Sequence, residues 1–264
     1  MVESQSVSKE ATLKNIEEKW DTWYVQGLSD FIKVPNLTPM VDQEFLTNGL
    51  IQQAMACIDD YVQKLDLQGI SKKVYAPEGT PPMVVYVIEP QGGSTKNVML
   101  YGHLDKQPWM DGWSEGLGPT NPVIRGEFLY GRGGADDGYS PFTCMLAIKN
   151  LQLQGLPVPR CAMVLETEEE SGSPNIFKLL DLAKESIGTP DVVFCMDSGA
   201  FDYNNLWLTS SLRGVVVAEL TVAAGMQGYH SGELGGILPE TFRIVRELLN
   251  RVDDNKTGIC ADEF

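Results

Sequence analysis

Hydrophobic and polar positions follow a helical pattern at the start of the chain. Over residues 1–30, five apolar residues recur at the spacing of one helix face: Leu13, Ile16, Trp20, Trp23 and Tyr24. The stretch "VPNLTP" then ends this helix, because proline removes a backbone donor and disfavours the helical conformation in the residue before it. A second helix is predicted from Gln43 to Leu65.

Strand-like patterns dominate the middle of the chain. Four short apolar runs have strand character: "MVVYVIEP", "NVMLYGH", "CAMVLETE" and "DVVFCMDS". Helical stretches are predicted over residues 140–153, 173–184 and 239–251, and "PVIRGEFLYGRGG" predicts a hairpin that turns at Gly126. Strands that alternate with helices favour a doubly wound α/β sheet.

Imidazole and carboxylate side chains follow the ends of these strands. The residues in question are His103, Asp136, Glu169, Glu170 and Asp197. In open α/β sheets, ligands bind beyond the carboxyl ends of the strands. An imidazole nitrogen with carboxylate oxygens and no thiolate suits zinc or manganese. The pattern therefore predicts a metal site at this edge of the sheet.

Each of these features also has an ordinary structural explanation. A histidine at a strand end is more often a hydrogen-bonded structural residue, and "ADDG" is a common turn sequence. The run "ETEEES" could be a solvated acidic loop. However, three adjacent carboxylates directly after an apolar strand repel one another unless a cation compensates. One shared site explains all of these strand ends together, so we favour the metal site.

Composition and charge exclude several classes of partner. The chain has 264 residues with 20 basic and 36 acidic side chains, so its net charge of −16 opposes binding to nucleic acid or an anionic membrane. The N-terminal segment lacks the apolar core of a signal peptide, and no apolar run is long enough to span a bilayer. The five cysteines include no C-x-x-C pair, and Cys144 and Cys195 lie in apolar runs. We therefore predict a cytoplasmic protein.

Several motifs in a fixed order resemble a known family. They are "YGHLDKQP", "GW" at residues 112–113, "LYGRGGADDG", "EEESGS", "CMDSG", "SLRG" and a lid-type "YHSGELGG". From Tyr86 onward the sequence resembles the dinuclear zinc or manganese metallopeptidases that include aminoacylase, glutamate carboxypeptidase and succinyl-diaminopimelate desuccinylase. Within them it is most similar to the branch of carnosinase and cytosolic non-specific dipeptidase.

The resemblance implies a fold and a domain organisation. Residues 1–212 would form the N-terminal part of an α/β catalytic domain, a doubly wound mixed sheet of the phosphorylase/hydrolase-like kind. Residues 213–264 would begin an α+β lid domain through which two chains form a homodimer. The expected substrate is a small peptide, cleaved at a dipeptide or related C-terminal amide bond by a metal-bridging water.

The resemblance also implies a role for each candidate residue. His103 and Asp197 would bind one divalent ion, Glu170 would bind the second, and Asp136 would bridge the two. Zinc is expected, with manganese as the alternative. Asp105 would orient the ring of His103, Glu169 would be the general base, and His230 of the partner subunit would donate to the oxyanion.

Two positions depart from the family pattern. Gly138 follows the paired aspartates where the family usually has lysine, which affects local loop contacts and not the ligands. The family takes its last metal-binding histidine from far along the C-terminal half, but no histidine follows His230. We therefore expect a C-terminally truncated fragment that supplies one lid strand and one lid helix after Gly214 and is poorly active by itself.

Two other functions fit part of the sequence. An inactive, truncated relative that acts as a dimerising or binding protein would explain the missing histidine, although every upstream ligand is present. The stretch "GRGGAD" could be a nucleotide-binding loop, but it lacks G-x-G-x-x-G and follows a hairpin instead of opening a helix. Metal content and dipeptide turnover separate the first alternative from a peptidase.

Overall fold

The computed structural model describes residues 6–262, which divide into two compact units. The first unit ends at Trp207 and the second begins at Leu208. In the first unit the helices are α1 Lys9–Lys19, α2 Gln26–Lys33, α3 Leu50–Lys64, α4 Tyr139–Leu153 and α5 Ile176–Ile187. Its strands are β1 Ile70–Tyr75, β2 Met83–Ile88, β3 Asn97–His103, β4 Val123–Arg125, β5 Phe128–Tyr130, β6 Arg160–Glu166 and β7 Val192–Cys195.

The central sheet is mixed, as predicted, and has the strand order β1-β2-β6-β3-β7. Strand β2 runs antiparallel to both β1 and β6, whereas β6, β3 and β7 are parallel to one another. Strand β3 lies between β6 and β7, with His103 opposite Glu166 and Tyr101 opposite Cys195. The carboxyl ends of three parallel strands therefore meet at one edge of the sheet.

Helices cover both faces of the sheet because successive strand residues point to opposite sides. On one face, α2, α3 and α4 pack on the buried side chains Val84, Tyr86, Ile88, Met163 and Leu165. On the other face, α5 packs on the alternate residues Val85, Val87, Ala162 and Val164. Burying one large aliphatic side chain contributes about 1.5–3 kcal/mol, so these two layers hold the strand ends in place.

Most predicted elements of the first unit are confirmed, with shifts that local backbone explains. A π-helical turn, Trp20–Val25, joins α1 to α2, and residues 1–5 of the predicted helix lie outside the described residues. Helix α3 begins at Leu50 instead of Gln43, because Gly49 has a left-handed φ of 77°. Helix α5 begins after Ser173, whose φ of 50° is not helical.

Two short elements show what the pattern detected and what it missed. The predicted hairpin is confirmed as β4 and β5, which turn at Gly126 with a φ of 61°. Strand β1 was not predicted. Four of its six residues are exposed, so its sequence "ISKKVY" shows no clear apolar alternation.

The second unit contains two helices among its described residues. They are α6 Ser231–Leu234 and α7 Thr241–Leu249, and α7 confirms the helix predicted over residues 239–251. The lid strand expected after Gly214 is not formed in the described part of this unit, since a strand needs a neighbour for its hydrogen bonds. The domain boundary after Leu212 stays a prediction. No helix within residues 6–262 has both the length and the apolar character to cross a bilayer.

A buried lysine caps the carboxyl end of helix α2. The Lys106 side chain is fully buried, and its Nζ donates to the carbonyl oxygens of Phe31 at 2.8 Å and Val34 at 2.6 Å. The ammonium group lies 4.3 Å from the centre of the Phe31 ring, a favourable cation–π arrangement. The Phe31 carbonyl also accepts a 3.1 Å hydrogen bond from the backbone nitrogen of Val34, the residue after the helix. Helix-end carbonyls need such partners from outside the regular helix pattern, so Lys106 joins the loop after β3 to the end of α2.

The Lys106→Met variant is expected to change how stability depends on pH. Burial lowers the pKa of Lys106 from its ordinary value of 10.5 to about 7 in the folded protein. Between these two values the unfolded chain binds more protons than the folded chain. The lysine therefore makes the free energy of unfolding rise with pH, by up to about 1.4 kcal/mol per pH unit, and methionine removes this contribution.

Urea unfolding of both proteins at several pH values between 7 and 9 measures this difference. In the folded protein, burial raises the pKa of Cys57 to about 11, so this thiol stays neutral beside Lys106 over this range. Its titration in the unfolded chain is common to both proteins and cancels in the comparison. We expect the wild type to gain stability relative to the variant as the pH rises. Parallel pH curves would contradict a lowered pKa for Lys106.

Candidate metal centre

The residues predicted to bind metal lie at the carboxyl ends of β6, β3 and β7. His103 is the last residue of β3 and is fully buried. Asp197 follows β7, which is held in place at this end by a 2.9 Å hydrogen bond from the backbone nitrogen of Met196 to the carbonyl of Tyr101. Glu169 and Glu170 follow β6 in a 3₁₀ turn, Glu169–Ser171, and Asp136 precedes α4.

One ring nitrogen of His103 faces three carboxylates. The distances from His103 Nε2 are 3.1 Å to Asp136 Oδ1, 3.6 Å to Asp197 Oδ2 and 3.9 Å to Glu169 Oε2. Two groups of residues bring one ligand atom each to within 4.8 Å of one another: His103, Asp136 and Glu170, and His103, Glu169 and Asp197. The structure therefore brings the four predicted ligands and the predicted base together.

Asp105 contacts both the histidine and the glutamate turn. Its Oδ1 lies 3.4 Å from His103 Nδ1, and its carbonyl oxygen lies 3.1 Å from the same nitrogen. Its two carboxylate oxygens also accept hydrogen bonds of 3.1 Å from the backbone nitrogens of Glu169 and Glu170. A single buried carboxylate thus orients the ring and anchors the turn that carries both glutamates.

Glu170 has one oxygen with a partner and one without. The side-chain amide of Gln107 donates to Oε2, whereas Oε1 is buried and accepts no hydrogen bond from the described residues. Leaving a buried carboxylate oxygen unsatisfied is costly. A cation bound at Oε1 would remove this cost.

Two further residues shape the site and were not predicted from the sequence. The Asp137 carboxylate is buried and accepts a 3.0 Å hydrogen bond from the backbone nitrogen of His103, and the peptide bond between Asp136 and Asp137 is cis. A side chain at Gly102 would collide with Ser140 Oγ and with the Asp137 carboxylate. Two features of the sequence could have identified these residues: the glycine directly before His103 and the second aspartate of the Asp136–Asp137 pair.

Contacts with carboxylates make His103 hold a proton more readily than an ordinary histidine. Burial on its own lowers the pKa of His103, but the hydrogen bonds to Asp105 and Asp136 outweigh burial and raise that pKa to about 11. The hydrogen bond to His103 in turn lowers the pKa of Asp136. A metal bound at His103 would have to replace this proton.

The other carboxylates of the cluster hold protons more readily than usual. Burial raises the pKa of Glu170 to about 7, with a smaller contribution from the charge of Asp136. Burial also raises the pKa of Glu169, of Asp197 and, to about 7, of Asp137. Burial, which disfavours the charged form, is the main cause of these shifts, and the charges of neighbouring carboxylates add to it for Glu169, Glu170 and Asp197.

The donor set fits a divalent cation. Within residues 6–262 the only ion-pair partner of Asp136, Glu169 and Asp197 is His103, and no lysine or arginine is paired with them or with Glu170. One imidazole nitrogen, several carboxylate oxygens and the unsatisfied Glu170 Oε1 suit zinc or manganese. The shortage of positive side chains around these carboxylates therefore supports metal binding at this edge of the sheet.

The structure explains the glycine that follows the paired aspartates. Gly138 is buried, its backbone nitrogen donates to the carbonyl of Gly133 at 2.9 Å, and an added Cβ would collide with that carbonyl and with the Phe31 ring. A lysine at this position would require the local loop to move. The departure therefore reflects packing around the loop and leaves the ligand positions intact.

His230 belongs to the second unit. It caps the short helix α6, and its Nδ1 accepts a 3.1 Å hydrogen bond from the backbone nitrogen of Gly232. The side chain is exposed. Its role in donating to the oxyanion stays a prediction.

Comparisons with known proteins agree with the fold and with the motifs. The family model described as "Peptidase family M20/M25/M40" matches residues 99–218. The Beta-Ala-His dipeptidase of Rattus norvegicus is 31% identical over 253 residues, which cover 90% of this chain and 50% of that protein. The Cys-Gly metallodipeptidase dug1 of Schizosaccharomyces pombe is 27% identical over 233 residues, covering 85% of this chain and 48% of that protein.

A solved structure shows the same fold. The crystal structure of human carnosine dipeptidase 1 matches with a TM-score of 0.65 at 21% identity, over 98% of this chain and 55% of that chain. The mixed sheet and its edge of imidazole and carboxylates define an α/β protein with a candidate metal centre at its strand ends. The chain is similar to the M20/M25/M40 peptidase family over residues 99–218, and the resemblance drawn from its motifs is confirmed. It spans about half the length of the curated relatives it matches.

Proposed function

We propose that this chain carries the metal centre of a dipeptidase that hydrolyses dipeptides or related C-terminal amide bonds. The observation that supports this most strongly is the cluster of His103 with four carboxylates, three of which lie within 3.9 Å of His103 Nε2. No lysine or arginine within residues 6–262 forms an ion pair with these carboxylates. The relatives named above act on Beta-Ala-His and Cys-Gly, so we take dipeptides as the substrate class.

Each ligand has a proposed place in this centre. His103 and Asp197 would hold one ion, Glu170 would hold the second, and Asp136 would bridge them. In support, the ligand atoms of Asp136 and Glu170 lie close together, and His103 is near both these atoms and those of Asp197. We propose zinc, with manganese as the alternative, because both accept imidazole and carboxylate ligands. When bound, two such ions lower the pKa of a water molecule and polarise the scissile carbonyl.

The remaining chemistry is proposed for side chains of this chain. Glu169 would take a proton from the attacking water and pass it to the leaving amine. Burial raises the pKa of Glu169, so this carboxylate accepts a proton more readily than an exposed glutamate. Asp105 would fix the position of the His103 ring relative to the Glu169–Ser171 turn, because its carboxylate contacts both.

The second unit would complete the site in a homodimer. We propose that His230 of the partner subunit donates a hydrogen bond to the oxyanion of the transition state. Its side chain is exposed, and only Nδ1 is engaged as a helix cap, which leaves Nε2 for an external acceptor. We also propose a cytoplasmic location, since all five cysteines are unpaired. Fractionation of the source cells tests the location.

Metal removal tests the proposed function. We expect the complete protein, as its source cells make it, to cleave Beta-Ala-His or Cys-Gly, to lose this activity on dialysis against a chelator, and to regain it with zinc or manganese. Hydrolysis that survives removal of all bound metal would contradict the proposal. A protein that is loaded with metal but cleaves no dipeptide would favour the alternative of an inactive binding protein.

A further inference from the structure

The segment of residues 34–40, here called the strap, is an irregular loop whose polar side chains are buried. It follows helix α2, has the sequence "VPNLTPM", and forms no helix or strand over residues 34–38. Asn36 is 1% exposed and Thr38 is 0% exposed. Loops normally keep their polar groups at the surface, so the buried polar groups of the strap require partners inside the protein.

The first set of partners lies in the loop after β3. The side-chain amide of Asn36 donates to the carbonyl of Leu104 at 2.7 Å, and the backbone nitrogen of Thr38 donates to the carbonyl of Lys106 at 2.9 Å. These two carbonyl groups stand on either side of Asp105. The strap therefore fixes the backbone of the residue that orients His103.

The second set of partners lies in the turn after β6. The hydroxyl groups of Thr38 and Ser171 are 2.5 Å apart, and Ser171 Oγ also accepts a 2.9 Å hydrogen bond from the backbone nitrogen of Met40. Ser171 directly follows Glu170. The strap thus reaches both loops that supply the metal centre, and Thr38 contacts both of them by itself.

We propose that Thr38 and Ser171 are positioning residues that set the distance between the His103 loop and the Glu169–Ser171 turn. Without their hydroxyl contact, the turn would keep its two backbone hydrogen bonds to Asp105, the hydrogen bond from the Gln107 amide to Glu170, and the one from the Met40 backbone to Ser171. The direct contact between the Thr38 and Ser171 side chains would be lost. A metal centre tolerates displacements of only about 0.5 Å in its ligands. The consequence for metal affinity rests on the proposed function, whereas the consequence for the turn does not.

Thr38→Val tests the contact, because valine has the shape of threonine without the hydroxyl. Loss of an outer partner typically weakens metal binding by about 10- to 100-fold, and we expect a weakening of about 10-fold for zinc, measured by competition with a chelator. Thr38→Ser keeps the hydroxyl and should bind zinc as the wild type does. Unchanged zinc affinity in Thr38→Val would overturn the proposal.

Thr80→Val is the matched control. Thr80 lies between β1 and β2 and is also buried, at 6% exposure. Its hydroxyl accepts a 3.0 Å hydrogen bond from Lys178 on α5. This variant removes a buried hydroxyl contact without touching either loop of the metal centre. We expect it to retain zinc affinity, and an equal loss in both valine variants would show a general effect of stability and overturn the positioning role.

Amide hydrogen exchange in metal-free protein tests the strap independently of metal. The backbone nitrogens of Glu169 and Glu170 are protected by Asp105, so the peptide containing the turn should exchange faster in Thr38→Val and at the wild-type rate in Thr80→Val. Unchanged exchange in Thr38→Val would overturn the proposal. If the wild type binds no zinc, the proposed function fails, and the exchange result alone decides whether the strap positions the turn.

Discussion

The Glu169→Gln variant is expected to lose turnover while it keeps its metal. Glutamine has the size of glutamate but cannot accept the proton, and Glu169 Oε2 lies 3.9 Å from His103 Nε2, at the edge of the ligand cluster. Removing a positioned base typically costs about 10²–10⁴-fold in rate. The variant of the complete protein, as its source cells make it, should show this loss in kcat with wild-type metal content by elemental analysis.

The neighbouring acid provides a control for this variant. Glu168 belongs to the same acidic run, but its carboxylate accepts hydrogen bonds from the backbone and side chain of Asn175, so Glu168→Gln should retain turnover. Retained turnover in Glu169→Gln would contradict its assignment as the base. Mixing this variant with His230→Ala subunits should restore part of the activity, because one site of the mixed dimer would then have both residues.

Asp136→Ala is expected to release both metal ions, whereas Asp197→Ala should weaken only one. The Asp136 carboxylate lies 3.1 Å from His103 Nε2 and groups with Glu170, so it is placed to serve both ions. Without a shared carboxylate, the two cations would also repel each other with less compensation. Asp197 groups with His103 and Glu169 and is not grouped with Glu170.

Elemental analysis of the purified variants measures this difference. Asp181→Ala, which removes an exposed carboxylate on α5, should retain the wild-type metal content. Equal metal content in the Asp136 and Asp197 variants would reject Asp136 as the bridge. Wild-type content in both would reject the centre itself.

The strand ends made much of the fold and site predictable. A buried strand appears in the sequence as a short apolar run, and its last residue can be identified from where that run stops. The run ending at His103 therefore located a candidate ligand, and the runs before Glu169 and Asp197 located two more positions at the same edge of the sheet. Each inference needed only local pattern and the rule that ligands lie at the carboxyl ends of parallel strands.

The supporting residues could not be predicted in this way. The role of Asp137 depends on the hydrogen bond that its carboxylate accepts from the backbone nitrogen of His103, 34 residues earlier. The Thr38–Ser171 contact joins residues 133 positions apart. Such pairings depend on tertiary packing and leave no periodicity in the sequence. Strand β1 was missed for a different reason, since an exposed edge strand does not need the apolar alternation of a buried one.

We propose that a divalent metal centre occupies the edge of the sheet at the ends of β6, β3 and β7. The most direct measurement is an anomalous difference map, recorded at the zinc absorption edge from crystals of the complete protein grown with zinc. The proposal predicts one peak beside His103 Nε2, Asp136 and Asp197, and a second beside Asp136 and Glu170. A map from zinc-saturated crystals with no peak at these residues would contradict it.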